Sequence, residues 1–182
     1  MPSAQLVLLD ACAVVNLWAC RRMAEIVPVV DGRVAVAEVV RQEARYVLAG
    51  GAGPEALERE PIDLAALITA GALDVIMPGN DDELMTFIDL TRQLDDGEAM
   101  TLAIALHRSG VVMTDDRKAI RVANEIGVPM LTSLELVKRW SELASIARIE
   151  LRGTLGDLRE RGRIEPSRQH SLRMWWMDVL VE

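Results

Sequence analysis

Short apolar runs alternate with longer segments of helical patterning along most of this chain, and that alternation limits the folds open to it. The apolar runs cover residues 5–9, 73–77, 111–114 and 128–131, with a briefer one at 34–36. Runs of this length, bounded by turn residues or charges, are typical of buried strands. Strands that alternate with helices form βαβ units and a mostly parallel sheet covered on both faces. The predicted fold class is therefore α/β.

Capping and turn residues bound the helical segments. Asn80 offers an N-cap, and three glycines and a proline at residues 50–54 predict a loop. The apolar residues of 82–94 fall on one face, which predicts an amphipathic helix. The predicted helices cover residues 13–23, 37–48, 61–70, 82–94, 97–108 and 116–126, another begins at Ser133, and a final amphipathic stretch covers 167–181.

Length and composition predict an ordinary globular protein. The 182 residues suit one domain with a short tail, which we place at 1–137 and 138–182. Cys12 and Cys20 are too few for a disulfide framework and are expected to be buried as small apolar groups. The first residues lack the basic stretch of a signal peptide, and no apolar run reaches the roughly 18 residues of a membrane span. We therefore expect a cytoplasmic protein with no membrane contact.

The charge of the chain argues against a protein that coats nucleic acid. The net charge is −8, whereas phosphate binding usually leaves a basic footprint. Aromatic residues are only 3% of the chain, so base stacking is not the expected route to nucleic acid. An acidic protein can still cut nucleic acid if cations bridge its carboxylates to the phosphate. It would then need basic residues near the site or on a partner.

Acidic residues from separate segments are expected to meet at one edge of the sheet. Asp10 ends the first strand, and Asp115 and Asp116 follow the strand at 111–114. Glu38 and Glu98 each lie in the first turn of a helix that begins at the carboxyl edge of the sheet, where ligands bind. Carboxylates packed together repel each other unless cations lie among them. Hard oxygen ligands of this kind suit Mg²⁺ or Mn²⁺.

Each acid taken alone also has a simpler explanation. Acidic residues commonly cap helices and are favoured at helix N-termini by the helix dipole. For Glu38 or Glu98 alone, capping is the better explanation, and Asp115 and Asp116 resemble an ordinary acidic first turn. Asp10 is harder to explain in this way, because it closes an apolar strand and further apolar residues follow it. The hypothesis of a metal site therefore depends on the joint pattern.

Three blocks of the sequence resemble those of PIN-domain nucleases. The blocks are LVLLDACAVVNLW, VAVAEVVRQEA and DDGEAMTLAIALHRSGVVMTDDRKAIRVANEIGVPML. The third is especially similar to the branch related to VapC-type toxins, with its GEA helix start and its DD pair, and the resemblance covers residues 4–137. It implies a three-layer α/β/α sandwich with a mostly parallel sheet, here followed by C-terminal helices. It also implies hydrolysis of RNA with Mg²⁺ or Mn²⁺ held by a carboxylate quartet.

The resemblance assigns the quartet residue by residue. The strand-end acid is Asp10, the second is Glu38 and the third is Glu98. The T-x-D pattern of the family puts the fourth at Asp116 and leaves Asp115 in the variable place, although either residue of the pair could be the metal ligand.

Other positions near the acids bear on substrate and partners. The family often has Ser, Thr or Asn just after the first Asp, whereas this chain has Ala11 and Cys12, which removes a polar contact. Arg117 and Lys118 either touch phosphate or lie on a solvated helix face. The resemblance to VapC-type toxins implies an RNA substrate, a homodimer and an antitoxin that covers the acidic edge. The final stretch, 167–181, either folds back onto the domain or joins two chains.

Two other functions use the same kind of scaffold. A receiver-type signalling domain also places acids at strand ends, but it needs an Asp after a middle strand, and residues 78–80 are Pro, Gly and Asn. A non-catalytic interaction module is the second alternative, although the complete quartet does not indicate degeneration. No Ser–His pair is evident, and His107 and His170 are expected to be surface or helix residues rather than catalysts.

Overall fold

A five-stranded parallel sheet organises the chain. The computed structural model describes residues 5–49 and 58–181. The strands of the sheet are β1 (Leu6–Leu9), β2 (Arg33–Ala37), β5 (Asp74–Ile76), β6 (Val111–Met113) and β7 (Met130–Leu131), and an antiparallel pair apart from the sheet is formed by β3 (Tyr46–Ala49) and β4 (Glu58–Pro61). The sheet order is β5-β2-β1-β6-β7, and every neighbouring pair in it is parallel. This confirms the predicted α/β class, with helices on both sides of the sheet and further helices at the C-terminus.

Ten α-helices and one short 3-10 helix, at Val27–Val29, are found among the described residues. Within 5–49 and 58–181, none of them has the length and apolar character needed to cross a membrane. The helices are α1 (Ala11–Ala19), α2 (Met23–Ile26), α3 (Glu38–Glu43), α4 (Ala65–Thr69), α5 (Asp81–Leu90), α6 (Asp96–His107), α7 (Arg117–Ile126), α8 (Ser133–Leu143), α9 (Arg148–Glu160) and α10 (Arg173–Leu180).

The central strands and α6 form the middle of the core. Leu8 and Leu9 of β1 are fully buried, and the register pairs Leu8 with Ala35 of β2. Helix α6 is apolar on nearly every side, and its residues Leu102 and Ile104 are fully buried. Burial of a leucine or isoleucine side chain contributes about 1.5–3 kcal/mol. Because α6 is held so firmly, the acidic turn at its N-terminus has a fixed position against the sheet.

The helix predicted at 37–48 is wrong in its second half. Helix α3 ends at Glu43, Ala44 leaves the helical region of backbone space, and β3 follows. The aromatic and β-branched pair Tyr46 and Val47 suits a strand, and β4 supplies the partner, with Val47 opposite Glu60. The partner lies more than ten residues further along the chain, so local helical patterning could not reveal it. The loop predicted at residues 50–54 lies outside the described residues.

Three other helix predictions need correction. The helix predicted at 61–70 is shorter, because Pro61 ends β4 and α4 begins at Ala65. The helix predicted at 13–23 is broken at Arg21, whose φ of 60° is left-handed, so that α1 and α2 are separate. The predicted apolar face of α5 is not fully buried, since Leu84 and Ile88 are exposed.

The C-terminal helices pack back onto the rest of the structure. Helix α9 buries Leu151, Leu155 and Leu158, as their helical spacing predicts, and α10 packs against α9 with Trp176 buried. Arg161 is buried, and its guanidinium donates to the carbonyl of Ala19 at 2.9 Å. The tail therefore folds back, which is one of its two predicted arrangements. The division predicted after residue 137 falls inside α8 and stays a prediction.

Candidate active site

The carboxyl edge of the sheet gathers acidic residues from several elements. Asp10 follows β1 directly and is the N-cap of α1. Glu38 is the first residue of α3, directly after β2. Asp115 and Asp116 follow β6, and Glu98 lies in the first turn of α6. Each position is held by a strand end or by a helix start, so the backbone around these side chains is rigid.

Asp10 is a buried carboxylate with a raised pKa. Its Oδ1 accepts the backbone N–H of Ala13 at 2.7 Å and the thiol of Cys12 at 3.1 Å. Burial raises the pKa of Asp10 to about 6, although these hydrogen bonds act in the opposite direction. A carboxylate that is buried at this cost in solvation is strongly stabilised by any cation that reaches it.

Glu98 shares the electrostatic field of the other acids. Burial raises the pKa of Glu98 to about 7, and the negative charges of Asp95, Asp116 and Asp10 add to the effect. Asp95 is the N-cap of α6 and accepts the backbone N–H of Glu98 at 2.9 Å. Asp10 and Asp116 thus both act on the carboxyl of Glu98, and we call these three residues the acidic triad.

Asp116 combines a capping role with a free oxygen. Its Oδ1 accepts the backbone N–H groups of Lys118 and Ala119, at 2.7 and 3.0 Å, and so caps α7. No hydrogen bond to its Oδ2 is found within residues 5–49 and 58–181. One oxygen of Asp116 is therefore open to a ligand while the other holds the helix.

Asp115 is tied down by both of its oxygens. Its Oδ2 accepts Asn16 Nδ2 at 2.8 Å, and its Oδ1 accepts the backbone N–H of Ser133 at 3.1 Å. Burial raises its pKa in spite of these bonds. The carboxylate joins α1 to the start of α8, which is a structural role that its acidic type alone does not reveal.

Glu38 is engaged by its own helix rather than by the triad. Arg41 donates to both carboxylate oxygens, at 2.6 and 2.8 Å, and Gln42 donates to Oε1 at 3.0 Å. These hydrogen bonds lower the pKa of Glu38 to about 2. Glu38 thus lies at the expected edge, but its charge is already compensated. It would have to exchange Arg41 for a cation in order to act as a ligand.

Cys12 supplies the polar contact that the sequence suggested was missing. Its thiol donates to Asp10, lies 3.6 Å from the hydroxyl of Thr114, and accepts the backbone N–H of Asp115 at 3.2 Å. The expectation that Cys12 is merely a buried apolar group is wrong, because the thiol bridges the ends of β1 and β6. For Cys20 that expectation is confirmed, since it is buried at the end of α1.

Two further residues at this edge were missed by sequence reasoning. Asn16 is buried on α1 and holds Asp115, and its spacing of six residues from Asp10 is the only signal for it. Glu43 packs against the start of α6, where a Cβ on Gly97 would overlap its Oε2. Burial raises the pKa of Glu43, and Asp95 and Asp96 add to the effect. A side chain at the glycine of the GEA start would therefore displace the carboxylate of Glu43.

The donor set fits a hard divalent cation, although it is not arranged as a finished coordination shell. Within residues 5–49 and 58–181, no group of three or more His, Cys, Asp or Glu side chains has the spacing of a metal centre. The pKa values of Asp10 and Glu98 are nevertheless raised by crowding and burial, which a cation would relieve. Carboxylate oxygens suit Mg²⁺ and Mn²⁺. The acidic triad would hold the ion, with Glu38 able to join it.

A comparison with protein families gives one match over most of the chain. The family model DUF3368, described as a PIN domain, matches residues 6–170. The match extends well beyond residue 137 and takes in α9 and the segment after it. No curated protein matches the chain.

Proposed function

The chain belongs to the PIN-domain family, and from this premise we propose that it is a metal-dependent ribonuclease that hydrolyses phosphodiester bonds of RNA. PIN domains are in general nucleases that use divalent metal ions. The observation that carries the proposal is the acidic triad, in which Asp10 and Glu98 have raised pKa values beside Asp116. Carboxyl groups with perturbed pKa values at the ligand-binding edge of a parallel sheet are candidates for a functional site.

The proposed metal ligands are Asp10, Glu98, Asp116 and Glu38, with Asp115 as the alternative to Asp116. When bound, Mg²⁺ or Mn²⁺ would supply the Lewis-acid chemistry that activates water and shields negative charge on the phosphoryl oxygens. In this proposal Asp10 is the fixed reference of the site, because the Ala13 N–H and the Cys12 thiol hold its carboxylate in place.

Glu98 has to lose its proton before it can bind a cation. Its pKa of about 7 lies near neutral pH, so the metal-free carboxyl is partly protonated there and metal binding should release that proton. Asp116 orients the start of α7 through Oδ1 and offers Oδ2 to the site. No side-chain nucleophile is needed for the attack of water on a phosphodiester.

The test is cleavage of a mixture of RNAs by the full chain. We expect cleavage with Mg²⁺ or Mn²⁺ and none with EDTA, because without the cation no group of the site activates the attacking water. Cleavage that persists in EDTA would indicate a metal-independent enzyme or a contaminant. The absence of cleavage on every RNA, at a pH above the pKa of Glu98, would favour the non-catalytic alternative. The ion pair of Glu38 with Arg41 supports that non-catalytic alternative, because it engages one of the proposed metal ligands.

Substitution of Asp115 and substitution of Asp116 should affect cleavage and stability differently. Asp116→Asn removes a free ligand oxygen but keeps the cap, since asparagine caps helices as well as aspartate does. Asp115→Asn leaves one of its two donors without an acceptor, at about 1 kcal/mol of stability. We therefore expect the larger loss of cleavage in Asp116→Asn and the lower melting temperature in Asp115→Asn. Rates in the reverse order would make Asp115 the fourth ligand.

The partner proposals rest on the resemblance to VapC-type toxins. We propose that the protein is the toxin of a toxin–antitoxin pair and acts as a cytoplasmic homodimer. The exposed apolar side chains of α5, Leu84, Met85 and Ile88, support a protein interface there.

Mass in solution tests the dimer. We expect the full chain to have about twice its own 20.1 kDa, and Met85→Lys to reduce the mass to that of one chain because it buries a charge in the interface. Met174→Lys is the control, since Met174 is also exposed but lies on α10. A wild type with the mass of one chain would contradict the homodimer.

A further inference from the structure

A cavity lies directly beside the acidic edge. Its volume is about 350 Å³, and it lies between the start of α7 and the segment at 163–170. Asp115 and Arg117 line it from one side, and Arg163, Ser167 and His170 line it from the other. A volume of this size is in the range of small-molecule sites. It is large enough for one phosphate with part of its nucleotide.

The cavity carries an excess of positive charge although the whole chain is acidic. Neither Arg117 nor Arg163 forms a salt bridge with any residue of 5–49 or 58–181. Two carboxylates also line the cavity. Glu165 is paired with Arg173 at 2.8 Å, whereas Asp115 is hydrogen-bonded only by the neutral Asn16 amide and Ser133 N–H and keeps its charge. The two guanidinium groups therefore face one carboxylate whose charge no cation compensates, which leaves a net positive charge to attract an anion.

His170 adds a ring N–H donor to the two arginines. Its Nδ1 accepts the backbone N–H of Leu172 at 3.0 Å, so the ring donor is Nε2. Ser167 contributes a hydroxyl. Guanidinium groups and such donors are the usual partners of phosphate oxygens.

The segment that carries Arg163 and His170 is anchored rather than loose. Just before it, Arg161 donates to the Ala19 carbonyl and pairs with Glu60 at 2.8 Å. Ile164 packs against the core, and Pro166 is buried and accepts Arg173 at its carbonyl. Donors that are fixed before the ligand arrives lose less entropy on binding.

We propose that this basic cavity, defined by Arg117, Arg163, Ser167 and His170, binds a phosphate of the RNA strand that neighbours the one being hydrolysed. The proposal rests on the proposed ribonuclease function and names the part of the chain that holds its substrate. It also supplies the basic residues that an acidic nuclease needs near its site, and one of the two arginines, Arg163, comes from the segment that follows α9.

The test measures the binding of a short fluorescein-labelled oligouridylate by fluorescence anisotropy. EDTA is present so that the RNA is not cleaved during the measurement. Arg163→Gln and Arg117→Gln are each expected to weaken binding about threefold to tenfold. Because both arginines contact the same phosphate, the double variant Arg117→Gln/Arg163→Gln should reduce the slope of log K against log salt by about 0.7, the contribution of one phosphate on a single strand. Arg168→Gln is the matched control, because Arg168 is exposed on the same segment but does not line the cavity. Thermal melts check that each variant is folded.

The outcomes separate this proposal from the proposed function. Weakened binding in Arg163→Gln and Arg117→Gln but not in Arg168→Gln supports the cavity, even if the wild type cleaves no RNA. Equal effects of all three variants, or a wild type that does not bind, would overturn it. Inorganic phosphate that binds without displacing the oligouridylate would assign the cavity to free phosphate and would also overturn it. Cleavage by the wild type together with unchanged RNA binding in the variants would overturn the cavity proposal and leave the ribonuclease proposal standing.

Discussion

Asp10→Asn is expected to lower RNA cleavage by at least about a hundredfold, because a bound cation supplies several kcal/mol of transition-state stabilisation and each 1.36 kcal/mol is tenfold in rate. The change removes one negative charge at the most buried acid of the site. The asparagine oxygen can still accept the Ala13 N–H, so the cap of α1 is kept. Initial rates with Mn²⁺ and RNA in excess are the measurement.

Two comparisons make this result specific. Asp89→Asn removes the same charge from an exposed position on α5 and should leave the rate unchanged. A melting temperature of metal-free Asp10→Asn at or above that of the wild type would show that the fold is intact, because a crowded buried carboxylate has been replaced by a neutral amide. Full activity in Asp10→Asn would exclude the carboxylate site as the centre of hydrolysis.

The edge that gathers the acids could be predicted because it depends on strand ends and helix starts. Asp10, Asp115 and Asp116 directly follow apolar strands, and in a parallel sheet all such positions fall on one side. Glu98 follows from the same rule, since α6 leads down to β6. The family match over residues 6–170 agrees with that fold and not with a receiver-type domain, and no Asp follows β5 in residues 77–80.

The state of each side chain could not be predicted, because it depends on partners that are distant in sequence. Asp115 looks like an ordinary helix start, but Asn16 and the Ser133 N–H hold both of its oxygens. Glu38 was predicted as a ligand, and its pairing with Arg41 is a local alternative that the spacing of three residues allows but does not require. Arg163 and His170 belong to no recognisable sequence motif. They lie near Asp115 only because the C-terminal segment folds back to the edge of the sheet.

The same crowding that identifies the site predicts how stability depends on pH without metal. Burial and neighbouring charges raise the pKa of Asp10 from 3.8 to about 6 and that of Glu98 from 4.5 to about 7. Between the lower and the higher values the folded chain binds more protons than the unfolded chain, so the free energy of unfolding increases as the pH falls through this window. This gain in the free energy of unfolding is lost again as the pH rises through the folded-state pKa values of about 6 and about 7. The pKa of Glu38 is lowered from 4.5 to about 2, so its opposite contribution is lost as the pH falls from about 4.5 to about 2, at the lower end of this window and below it.

Divalent metal is expected to raise the melting temperature of the wild type by about 5–10 °C. Ligand bound only to the folded state contributes about 2.7 kcal/mol at a hundredfold excess over its Kd, and each kcal/mol shifts Tm by about 2–4 °C for a chain of this size. Because the ligands bind metal in their deprotonated form, the shift should be larger at about pH 8 than at about pH 5.5. Asp10→Asn should show little shift at either pH. Equal wild-type melting temperatures in EDTA and in millimolar Mg²⁺ or Mn²⁺ would mean that the acids do not form one site. Their roles as helix caps and ion-pair partners would then account for them.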